Sequence, residues 1–136
     1  MRLKISNNQI DFIDAYIEAA LWSSTDKDDK HLDENYCEPD LHESARTKIK
    51  ADCLAFLKAN ESLIKQAADL GDYFAQKTKW NEYERAGHDF WFTRNHHGAG
   101  FWDRNLGEVG DKLTEAAKAF GECTLIVGDD GKIYLE

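Results

Sequence analysis

The chain is short of the residues that organise small specialised folds. Its 136 residues include one proline, one methionine and three cysteines. Cys37, Cys53 and Cys123 are widely spaced and form no Cys-x-x-Cys pair, which excludes a zinc ribbon or a thioredoxin-type site. Such an odd set fits reduced thiols in a cytoplasm, with Cys53 and Cys123 as small apolar packing residues. No apolar run approaches the ~20 residues of a membrane span, and the stretch Met1–Ser6 lacks a signal-peptide core, so no membrane association is expected. Basic residues are also scarce. Seventeen Lys and Arg stand against 26 Asp and Glu, a formal charge of −9. That balance argues against wrapping a phosphate backbone, which needs a net basic surface. It leaves a basic protein partner, a metal, or a local basic patch.

What the chain does have is aromatic mass, with four Trp, five Tyr and seven Phe. A chain of this length buries about 70% of the surface it exposes when unfolded, so a core without staples is feasible. Ser6-Asn7-Asn8-Gln9 reads as a capping box, with Ile5 and Ile10 placed as a hydrophobic staple. The helix it opens is expected over 7–22, with one stripe of Ile10, Ile13, Ile17 and Leu21 and a second of Phe12, Tyr16 and Ala20. A polar loop follows, with Leu32 and Tyr36 as anchors. Asp40 is the next N-cap candidate, after Pro39. Apolar spacings of three and four then run from Leu41 to Leu70, with Gly71 as the stop. Asn60 falls on that stripe, so a break near Ala59-Asn60 would make two helices of one. Tyr73 and Phe74 are expected to anchor a short turn. Further helices are expected up to about Asn95, closed by Gly98 and Gly100, and from Leu106 to Phe120 before Gly121. Alternation around Gly128-Asp129-Asp130-Gly131 predicts a C-terminal hairpin. A lone hairpin is marginal, and 100–104 is the candidate third strand. The fold class is therefore α+β, a mostly helical single domain over 1–136 with a C-terminal β-hairpin.

Chemistry-bearing residues crowd into 80–104. His88, His97 and Asp103 are the candidate metal ligands, since imidazole and carboxylate suit a divalent ion. Ligand patterns such as HExxH are absent, and no cofactor is expected. His88 with Asp89, or His97 with Asp103, could pair a base with its orienter for acid/base chemistry, with Arg94 or Arg104 holding an anion. Thr93 is the nearest hydroxyl, which disfavours a triad hydrolase. Alternatively the segment is a binding surface. Arg85, Trp91, Arg94, Asn95, Trp102 and Arg104 combine the stacking and cationic groups used on single-stranded nucleic acid or at protein hot spots. Against all of these stands burial, because six aromatics in twenty residues must mostly be core, with His88 and His97 holding the glycine turn. Asp26, Asp28, Asp29, Asp33 and Glu34 lie in a mostly acidic arm over 26–43. Such an array either solvates a loop or imitates a phosphate backbone before a basic protein.

The run Ala86-Gly87-His88-Asp89-Phe90-Trp91, with Thr93-Arg94-Asn95 and His97-Gly98-Ala99-Gly100-Phe101-Trp102-Asp103-Arg104, resembles a family of small phage-encoded proteins. Leu21–Asp26, Gly110–Ala117 and the terminal hairpin fit the same pattern, so the likeness covers nearly the whole chain. His96 stands where that pattern carries glycine. The resemblance implies a phage-type accessory protein in a host cytoplasm and brings no activity with it. Macromolecular binding, with a host or phage protein as partner, is therefore the leading expectation, ahead of an enzyme or a single-strand binder centred on 88–104.

Overall fold

The computed structural model describes residues 5–136; the expectation built on Met1–Ser6 lies largely outside them. Helix α1 (Asn7–Ser23) starts where its capping box predicts. Ser6 Oγ accepts from the Gln9 amide at 3.2 Å, and Gln9 Oε1 accepts from the Ser6 amide at 2.8 Å. Its inward face is the aromatic stripe: Phe12, Tyr16 and Ala20 are fully buried, whereas Ile10 is 42% exposed.

Helix α2 (Glu43–Ala67) runs unbroken for 25 residues. Asn60 does not interrupt it, because its Nδ2 donates to the Phe56 carbonyl at 2.9 Å and satisfies the buried amide within the helix. The cap is His42, not Asp40: His42 Nδ1 accepts from the Ser44 amide at 3.1 Å, while Asp40 closes the preceding 3-10 turn, Glu38–Asp40. The helix ends four residues before Gly71, which instead opens the short helix α3 (Gly71–Ala75). Tyr73 on α3 is buried as expected, but Phe74 is 49% exposed and anchors nothing in the core.

Helix α4 (Glu82–Arg94) lies along α1 and points the same way. Asn81 Nδ2 donates to Asp11 Oδ2 at 2.9 Å near one end, and Trp91 Nε1 donates to Ser23 Oγ at 2.7 Å near the other. Gly87 permits this closeness, since a Cβ there would collide with the Phe12 carbonyl. Helix α5 (Glu108–Lys118) and strands β1 (Leu125–Val127) and β2 (Ile133–Leu135) complete the chain, the strands pairing antiparallel with Ile126 opposite Tyr134.

The expected third strand at 100–104 is not one. Phe101–Asp103 forms a 3-10 turn, because the Phe101 amide donates to Thr93 Oγ1 at 3.0 Å and the ring turns inward onto Phe56. The hairpin is supported instead by residues 41 and 42. Leu41 bridges Ile133 in parallel, and the His42 amide donates to the Ile133 carbonyl at 2.8 Å. One contiguous core joins the helices and the hairpin, with Phe90 stacked on Phe56 at 4.2 Å near its centre.

Candidate functional site

The central motif is mostly interior. Phe90, Trp91, Phe92 and Phe101 are buried, and of the aromatics in 86–104 Trp102 alone is exposed, at 55%. Asp89, fully buried, is the hub of one polar cluster. It accepts from Tyr73 Oη at 2.8 Å and from Arg104 Nη2 at 3.0 Å, with His88 Nδ1 at 3.1 Å. Burial and the adjacent carboxylate push the Tyr73 hydroxyl well above its ordinary range, so it stays protonated and donates. Arg94 is the hub of the second cluster and pairs with Asp52 at 2.9 Å. Its Nη1 also donates to Tyr16 Oη at 3.1 Å, and Nε and Nη2 donate to the carbonyls of Gly121 and Phe120 at 2.8 and 3.1 Å. Asn95 Oδ1 accepts from the Cys123 amide at 2.8 Å and ties the segment to the approach of β1.

These partners occupy most of the groups that a nucleic-acid reading would spend on a ligand, while the His88–Asp89 pair expected for acid/base chemistry does form, at 3.1 Å, with His88 on open surface. The Asp89 carboxylate faces an arginine and a tyrosine instead of solvent. Trp91 and Arg94 are 3% and 2% exposed, so they do not join Trp102 as a stacking platform. His88 and His97 also pack on Phe92, with ring centroids 4.6 and 5.5 Å away. Among the described residues no three His, Cys, Asp or Glu side chains are grouped to hold a metal ion, so His88, His97 and Asp103 do not converge. Cys53 is buried, and burial pushes its thiol well above the ordinary range, in keeping with a packing role.

The end of α4 explains His97 as well. His96 has φ +58, the left-handed conformation of a helix C′ residue, and so ends the helix ahead of Gly98 and Gly100. The His97 amide donates to the Phe92 carbonyl at 2.8 Å and the His96 amide to the Thr93 carbonyl at 3.1 Å. That pair of bonds is a Schellman motif, and the His97–Phe92 contact is its usual apolar closure.

A hollow of about 280 Å³ beside the motif is lined by Trp91, Asn95, His97 and Cys123, and a trench of about 380 Å³ opens between α1 and α4. Ala15 and Ala19 line it between Asp11, Asp14 and Glu18 of α1 and Glu84, Arg85 and His88 of α4. Trp80, adjacent to the Asn81 bond to Asp11, stands at one end. Trp22 and Asp33, the latter from the acidic arm, stand at the other. Trp22 is 56% exposed and stacks on His31 of that arm at 5.8 Å. Among the described residues, none of Asp11, Asp14, Glu18, Asp33 and Glu84 has a cationic partner within ion-pair distance. Partial burial, together with Glu38 and Asp11 nearby, raises the Asp14 pKa above the ordinary carboxylate value. Sequence reasoning singled out His88, Arg85 and Asp33 but missed Trp22, Trp80 and the α1 carboxylates. The signal was there: Asp11, Ala15, Glu18 and Trp22 recur at four, three and four residues, a polar stripe beside the apolar one.

Of the remaining sequence candidates, Asp26 holds its own loop, its Oδ1 accepting from the Asp28 and Lys30 amides at 2.8 and 3.1 Å. Asp28, Asp29 and Glu34 are exposed on the arm. No helix of the described residues is long and apolar enough to cross a membrane. No protein-family model, curated protein or solved structure matches the chain.

Proposed function

We propose that this chain is a small accessory binding protein, phage-type as its motif resembles, that engages a basic host or phage protein, foremost one that handles nucleic acid. The observation that carries this reading is the trench: an open surface bearing carboxylates without cationic partners among the described residues, continuous at Asp33 and Trp22 with an acidic arm. Uncompensated negative charge focuses cationic partners and repels phosphate, so a basic protein fits this face and nucleic acid does not. The motif supports the same reading by its location, since its polar groups already hold one another.

Immobilised protein should capture basic nucleic-acid-handling proteins from nuclease-treated bacterial lysate. Capture should fall as salt rises, because exposed charges are screened beyond ~10 Å at 0.1 M. The double variant Asp14→Lys/Glu18→Lys, at two exposed positions of α1, should abolish it. Capture that survives both salt and charge reversal contradicts the proposal.

A further inference from the structure

The acidic trench holds one group of the wrong sign. Arg85 is 9% exposed, yet its guanidinium has no hydrogen-bond acceptor and no carboxylate within ion-pair distance among the described residues, and its Nε is both buried and unpartnered. It lines the trench and lies against Trp80, 5.1 Å from the ring centroid, which holds the planar group in place. A buried donor left unpaired is costly, and the side chain that carries it lines the open trench. The occupant must therefore offer cations to Asp14, Glu18, Asp33 and Glu84 and, among them, a neutral or anionic oxygen to Arg85.

Resting on the binding function proposed above, we infer that the occupant is an extended, Lys- and Arg-rich segment of a protein, with a main-chain carbonyl accepting from the Arg85 guanidinium. A polypeptide presents both features at fixed spacing: carbonyls along its backbone and cations at the ends of its side chains. A polyamine has the charge but no acceptor. A nucleic acid has acceptors but the wrong charge. The length also fits. Eleven helical steps from Asp11 to Trp22 make about 16 Å at 1.5 Å each. Roughly five extended residues at ~3.3 Å cover that distance. The exposed ring of Trp22 offers a wall for the aliphatic stem and head of one basic side chain.

The test is calorimetric titration of the full chain with the blocked pentapeptide acetyl-Lys-Arg-Lys-Arg-Lys-amide and, separately, with spermine. The peptide is expected to bind at least tenfold more tightly than spermine. Arg85→Gln, with its fold checked by thermal melting, should weaken the peptide at least fivefold and leave spermine unchanged or tighter, since a cation has been removed. Spermine binding as tightly as the peptide to the unmodified protein would overturn the inference without reference to any variant, as would an Arg85→Gln protein that binds the peptide normally. If the Arg85→Gln protein binds the peptide normally and Asp14→Lys/Glu18→Lys abolishes binding, the acidic-surface reading stands while the main-chain contact falls. If neither ligand binds, both fall.

Discussion

His96 closes α4 in the left-handed region, and the backbone there sets a cost on its side chain. A side chain at φ +58 costs on the order of 1–2 kcal/mol in the left-handed region, where glycine sits freely. His96→Gly should therefore stabilise the protein by roughly 1 kcal/mol, part of the relief being offset by the unfolded chain's added freedom. A urea denaturation midpoint that fails to rise would refute this. The same scale shows why the site was hard to read from sequence. Histidines, arginines and aromatics in one segment are what a binding surface needs, and equally what a polar cluster inside a small core needs. Only the partners decide, and those of Arg94 (Tyr16, Asp52 and the turn after α5) come from distant parts of the chain.

At the scale of elements, the local signals carried what local interactions control. The capping box of α1, the length of α1 and the Gly128–Gly131 turn follow from neighbouring residues and appeared as expected. The third strand failed for a tertiary reason: Thr93 captures the Phe101 amide, so the apolar pair that suited a strand is bent into a turn. Asn60 failed to break α2 because its side chain bonds back one turn. Arg94 has the largest inter-element role, fastening α4 to α1, to α2 and to the end of α5. Arg94→Met should cost about 3 kcal/mol or more, since Asp52 keeps only the exposed Lys48, 2.9 Å away, and two carbonyls lose their donors. Adding Asp52→Leu should recover part of that loss, because removing both buried charges is cheaper than leaving the carboxylate with only the solvated Lys48. Equilibrium unfolding of the single and double variants decides it, and a single-variant loss below about 1 kcal/mol would contradict the assigned role.

Over the whole molecule, the charge of −9 becomes a matter of placement. The two buried clusters neutralise themselves, Asp52 with Arg94 and Asp89 with Arg104, so much of the uncompensated acid is left on the arm and along the trench. The conspicuous motif builds the scaffold, and an inconspicuous stripe on α1 faces α4 across the open surface. That division is the central claim, and the four tryptophan indole N–H signals report on it directly. In a titration of labelled protein with the basic pentapeptide, followed by two-dimensional NMR, the indole resonances of Trp22 and Trp80 should shift. That of Trp91, bonded to Ser23 in the interior, and that of Trp102, outside the trench, should stay in place. Shifts confined to Trp91 or Trp102, with Trp22 and Trp80 unmoved, would contradict the account.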